Sequence, residues 1–126
     1  MIDALFSQPN YVATKKLLDA TVLRHEAIAS NLANLETPNY QRLDVSPEFA
    51  TELSRSMGTG SPTTIARLQP QLAIDQAAVA QGRDGNTVQL ETELMQLNQN
   101  SLAHAVETQL LTNSLVKLRL AITGRS

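Results

Sequence analysis

Apolar residues recur along this chain in two long helical stretches, separated by a middle that keeps no period. In the first, Leu18, Val22, His25, Ala29 and Leu32 follow one another at spacings of four and three, with Leu17, Ile28 and Leu35 along one side. That spacing is the apolar stripe of an amphipathic helix and predicts one over residues 10–36. The second stretch, predicted helical over 88–123, keeps the same spacing through Leu90, Leu94, Leu97, Ser101, His104, Thr108, Leu111, Leu115, Leu118 and Ile122. This is a heptad seam. A second apolar row, Met95, Leu102, Val106 and Leu110, lies roughly 150° away around the same helix, which therefore has two faces to bury.

A helix over 88–123 would be roughly 54 Å long, against a diameter of about 35 Å for a compact globule of this size. The fold class expected is mainly α: an elongated two-helix hairpin of N- and C-terminal coiled-coil helices with a loosely ordered middle, residues 1–126 forming one domain. The hairpin seam is expected to join Leu18, Val22, His25 and Ala29 to Leu94, Leu97, His104, Leu111, Leu115, Leu118 and Ile122. Met95, Leu102, Val106 and Leu110 then remain for a neighbouring subunit.

Residues 41–86 read as flexible or extended. Leu43 and Val45 suggest an extended start, and Ser46-Pro47 a cap and first position for a short helix to about Met57. Gly58-Thr59-Gly60-Ser61-Pro62 and Gln69-Pro70 are breaks, and the Ala- and Gln-rich run from Ala73 to Gln81 buries little. Asp84-Gly85-Asn86 signals a turn, after which Asn86 or Thr87 is expected to cap the long helix. Upstream, Pro38 biases Thr37 toward extended geometry, so the first helix is expected to stop near Asn34 to Glu36.

Composition narrows the function. With two Tyr, two Phe and no Trp in 126 residues, the chain lacks the side chains that fill a large core. Ten basic and twelve acidic residues, spread along the sequence, form no basic patch for nucleic acid or an anionic membrane surface. No apolar run approaches the roughly 18 residues of a membrane span, and Met1–Ser7 shows no ordinary secretion signal. The absence of cysteine excludes disulfides and thiolate metal sites. His25 and His104 each lack a second ligand at metal-binding spacing, and no glycine-flanked serine or phosphate-cradling loop occurs. No catalytic, cofactor, metal or small-molecule site is expected, and the protein reads as non-enzymatic.

Two segments carry a resemblance. Ile28 to Arg42, centred on Ala29-Ser30-Asn31-Leu32-Ala33-Asn34-Leu35-Glu36-Thr37-Pro38-Asn39-Tyr40, resembles the N-terminal signature of bacterial flagellar axial proteins, the rod, hook and hook-associated subunits. Asp84-Gly85-Asn86-Thr87-Val88-Gln89-Leu90-Glu91-Thr92-Glu93-Leu94-Met95 resembles their C-terminal signature, and Leu118 to Gly124 the closing segment of the proximal-rod members. Gln89 departs from the family pattern, which often has an acidic residue there. Short length and the absence of a large β-rich insertion favour a proximal-rod protein over a hook subunit.

The resemblance implies a structural subunit of the flagellar basal body, exported without a cleaved signal peptide and packed by coiled-coil helices into the periplasmic rod. Its partners would be copies of itself and other rod proteins, with the rod junction protein and the export gate at the base. It also implies subunit contacts near Asn31, Leu32, Asn34, Thr37, Pro38, Asn39 and Tyr40. The competing expectation is a soluble coiled-coil adaptor whose second apolar row receives one foreign helix.

Overall fold

The structure, a computed structural model, describes residues 8–124. Met1–Ser7, where no secretion signal was read, lies outside the described residues. The fold is mainly helical: α1 (Pro9–Ala33), β1 (Leu43–Val45), α2 (Pro47–Thr59), α3 (Pro62–Arg67), β2 (Leu72–Ile74) and α4 (Leu90–Thr123). Both long helices are present, with α1 ending three residues earlier than expected and α4 starting two later. Proline opens α1, α2 and α3, where its missing N–H leaves no hydrogen bond unmade.

The less regular middle is organised on one side of α1. Strands β1 and β2 pair antiparallel, Leu43 opposite Ile74 and Val45 opposite Leu72. The stretch that looked too weak to bury area thus supplies a strand, because its backbone, more than its side chains, holds it. Gly60, at φ +66°, closes α2 in the left-handed conformation, and Ser61 caps α3 by accepting the Thr64 N–H. Val45, Phe49, Leu53 and Ile65 pack with Ala13 and Ala20 into a small core. The Gly58–Pro62 break is therefore a tight corner between two helices seated on α1.

The long helices run antiparallel, but their seam is not the predicted one. Asn31 on α1 bonds Glu93 on α4, and Thr21 bonds Asn100 and Glu107 further along, which fixes direction and register. Turned inward on α1 are Ala13, Ala20, Thr21, Ala27, Ile28 and Asn31. On α4 they are Glu93 and Asn100, flanked by half-buried Leu97, Glu107, Leu111 and Leu118. Of the expected seam, Leu18, Leu97, Leu111 and Leu118 are half-buried, while Val22, His25, Ala29, Leu94, His104, Leu115 and Ile122 are exposed. The α4 seam is turned by roughly 60° from the leucine row. Polar residues occupy inward positions because Asn31, Thr21 and Asn100 bond across the pair, Asn100 through its Nδ2 to the Thr21 carbonyl, while its Oδ1 has no partner among the described residues. His104 comes within 3.5 Å of Thr21 Oγ1, and His25 is not its partner.

Candidate assembly surface and the junction beneath it

The residues that carried the resemblance meet in space where α1 ends and α4 begins. Asn31 is fully buried. Its Nδ2 donates to the Leu43 carbonyl at 2.9 Å and to Glu93 Oε2 at 3.2 Å, while its Oδ1 accepts the Leu43 N–H at 2.9 Å and the Tyr40 hydroxyl at 3.2 Å. A carboxamide offers two donors and one twofold acceptor, and all are used. Bonding both backbone groups of Leu43, the side chain stands in for a neighbouring strand. This corrects the expectation that Asn31 lies at a subunit contact: it is an internal tie between α1, β1 and α4. Asn34 has a local role as well, donating to the Ser30 carbonyl and accepting the Thr37 hydroxyl at the end of α1.

Beside Asn31 sits a buried ion pair that sequence reasoning missed. Arg42 Nε donates to Glu93 Oε1, and its Nη1 donates to Asp75 at 2.8 Å. Glu93 has no solvent exposure and Arg42 4%. Burial alone would lower the Arg42 pKa, but the hydrogen bond and charge of Glu93, with Asp44 and Asp75, outweigh it and hold the pKa above its ordinary value. For Asp44 burial pushes up, and the hydrogen bonds from Arg24 and the Val45 N–H more than reverse it. Glu93 lies in the first turn of α4, where its charge also suits the helix N-terminus. A signal was present in principle, since a lone Arg closes one signature and a Glu lies in the other.

Asn86 and Thr87 do not cap α4, whose preceding residue Gln89 makes no side-chain cap. Asn86 Nδ2 donates to the carbonyls of Asn34, Leu35 and Thr37, satisfying the open C-terminal end of α1 from about fifty residues away. Thr87 Oγ1 accepts the Arg42 N–H at 2.7 Å. Gly85 is needed here: its φ is +75°, and a Cβ would stand 2.5 Å from Asn39 Oδ1. Asn39 is itself at φ +61° and donates its N–H to the Asp84 carbonyl at 2.7 Å. Of the other expected contact residues in this turn, Thr37 and Pro38 are exposed, Leu32 is half-buried, and Tyr40 shares a 2.8 Å hydrogen bond with Ser30.

Along the seam, burial pushes the Glu107 carboxyl up, with partial opposition from the Thr21 hydroxyl and the charges of His104 and Arg24. A carboxyl raised in the fold binds its proton more tightly than in the unfolded chain, so its ionisation costs stability above that pKa. Glu107→Gln keeps an acceptor for Thr21 and is expected to raise the urea midpoint at pH 7. The gain should vanish below about pH 4, where the unfolded carboxyl is protonated too. Urea titrations of both proteins at the two pH values check this, and Asp44, present in both, cancels in the difference.

The outer side of α4 carries the feature open to partners. Met95, Leu102, Val106 and Leu110 are each at least half exposed, Leu102 at 68%. Val116 and Leu120 continue the row beyond them. Monomeric proteins seldom leave such a contiguous apolar strip in water. Among the described residues no cluster of three or more His, Asp or Glu is arranged to hold a metal, and no helix is long and apolar enough to cross a membrane.

No family model matches the chain. It is 33% identical over 109 residues to the flagellar basal body rod protein FlgB of Cereibacter sphaeroides, covering 80% of this chain and 84% of that protein. The protein of that name from Aquifex aeolicus is 31% identical over 114 residues, covering 89% and 91%. The one from Escherichia coli is 29% identical over 117 residues, covering 80% and 83%. Coverage this even takes in α1, the middle and α4 together, so the likeness is not confined to one helical stretch. The chain belongs to the flagellar basal body rod protein FlgB family.

Proposed function

We propose that this protein is a structural, non-enzymatic subunit of the proximal rod of the flagellar basal body. It reaches the periplasm through the flagellar export apparatus without a cleaved signal peptide. There it packs beside copies of itself and other rod proteins, with the rod junction protein and the export gate below. The observation that carries the reading is the kinship with FlgB across at least four fifths of the chain. The exposed row Met95, Leu102, Val106 and Leu110 supports a packing role, since burying each such side chain contributes about 1.5–3 kcal/mol and the monomer leaves them in water. In this reading the junction of Asn31, Arg42, Glu93 and Asn86 holds the two helices at a fixed angle and register, so that every copy presents the same apolar strip.

A soluble adaptor would use the same strip for one foreign helix, but it has no account of the kinship. Deletion of the gene decides between them. The rod reading expects cells without flagellar filaments, normal levels of other flagellar proteins, and restoration by the intact chain. Swimming deletion cells would refute it.

A further inference from the structure

A trough of about 1120 Å³ opens between α1, α2, β2 and the middle of α4. Phe49 and Leu53 line its base, and Leu17, Met57 and Ile74, each more than a third exposed, line its sides. Its charged residues are mostly neutralised internally, Asp44 by Arg24 and Asp75 by Arg42. Two of its carboxylates have no cationic partner at ion-pair distance among the described residues: Glu48 on the α2 wall and Glu107 on the α4 wall. The trough is thus apolar within and acidic on two opposite walls.

The last turns of α4 have the complementary form. Val116 and Leu120, 50% and 39% exposed, make a ridge on the outer face. At about 100° per residue Lys117 and Arg119 fall about 80° to either side of that ridge. Neither makes an ion pair among the described residues. The ridge cannot enter the trough of its own chain, because Ala103 and Glu107 of the same unbroken helix line that trough about 20 Å back along the axis.

We infer that the Val116–Leu120 ridge of one copy docks into the trough of a second copy, with Lys117 and Arg119 against Glu48 and Glu107. The contact is heterologous: each copy keeps a free trough and a free ridge, so repetition yields an open series and not a closed dimer. The apolar fit supplies attraction, and the charges on both walls set the orientation of the incoming helix. This deepens the rod reading and rests on it for its biological setting.

The chain has no cysteine, so single introduced thiols report the contact cleanly. Ser54→Cys lies in the trough, Asn113→Cys lies on the outer face one turn before the ridge, and Thr63→Cys on α3 serves as a remote control. Mixing the full-length S54C and N113C proteins under mild oxidation should give the mixed disulfide several-fold above the T63C and N113C pair. Lys117→Glu with Arg119→Glu in the ridge copy should cut that yield several-fold at low salt, and Glu48→Lys in the trough copy should restore part of it. A mixed yield equal to the control, a product dominated by S54C paired with itself, or indifference to charge reversal overturns the docking. Restoration of filaments in a deletion strain by the native chain is scored separately, so the rod reading can stand while the docking falls, or the reverse.

Discussion

Replacing Arg42 with Met is expected to destabilise the fold by about 3–5 kcal/mol, a large part of the roughly 5–15 kcal/mol that holds a domain together. Arg42 and Glu93 are both out of water, and among the described residues Glu93 has no other cation at ion-pair distance. Methionine fills much of the volume but leaves the Glu93 carboxylate buried beside the Asn31 amide without its cation. The tie between the end of α1, β1 and the first turn of α4 loosens with it. Adding Glu93→Leu removes the stranded charge, and the double variant should recover most of the loss, because an apolar pair of similar size can match a buried ion pair. Urea unfolding of the parent, both single variants and the double variant closes the cycle. A loss under about 1 kcal/mol for Arg42→Met would mean that the pair is not buried as described.

Leu102→Glu combined with Val106→Glu should have the opposite profile, with an intact monomer and no assembly. Both side chains are already exposed, 68% and 52%, so their replacement should move the unfolding free energy by no more than about 0.5 kcal/mol each. In a packed rod the change removes the burial of the part of each side chain that the monomer leaves exposed, about 2–4 kcal/mol per subunit, and puts two carboxylates where a helix should sit. The lost burial alone corresponds to roughly thirty- to eight-hundred-fold weaker association. A deletion strain carrying this variant should produce the protein at normal levels and fail to swim, whereas Leu102→Met with Val106→Ile should swim. Normal swimming of the glutamate variant would remove this strip from the interface.

Much of the architecture could be read from apolar spacing. It placed both long helices, while Leu43 and Val45 marked the extended start and the Ser46-Pro47 cap the short helix that follows. The strand at Leu72–Ile74 and helix α3 escaped because neither has a period of its own. The first depends on backbone bonds to β1, and the second on burying Ile65 against residues far off in sequence. Of the candidate contact residues, Met95, Leu102, Val106 and Leu110 are exposed as a free surface requires. Asn31 turned out to be an internal strut, because a buried amide is written with the same letter as an exposed one.

The sequence by itself determined that two long helices form, where they end to within three residues, and, through Ile28–Arg42 and Asp84–Met95, which family to expect. Those are local properties, set by residue spacing, proline and turn chemistry. Which face of each helix turns inward was decided only by the tertiary structure. Sorting by hydrophobicity favours the leucine row of α4, and that row loses the centre of the seam to Glu93 and Asn100. Their burial is tolerable only because Arg42, Asn31 and Thr21, between 51 and 79 residues away along the chain, arrive to bond them. Partners at that separation leave no mark on periodicity, so Val22, Leu94, Leu115 and Ile122, expected inside, stand exposed instead.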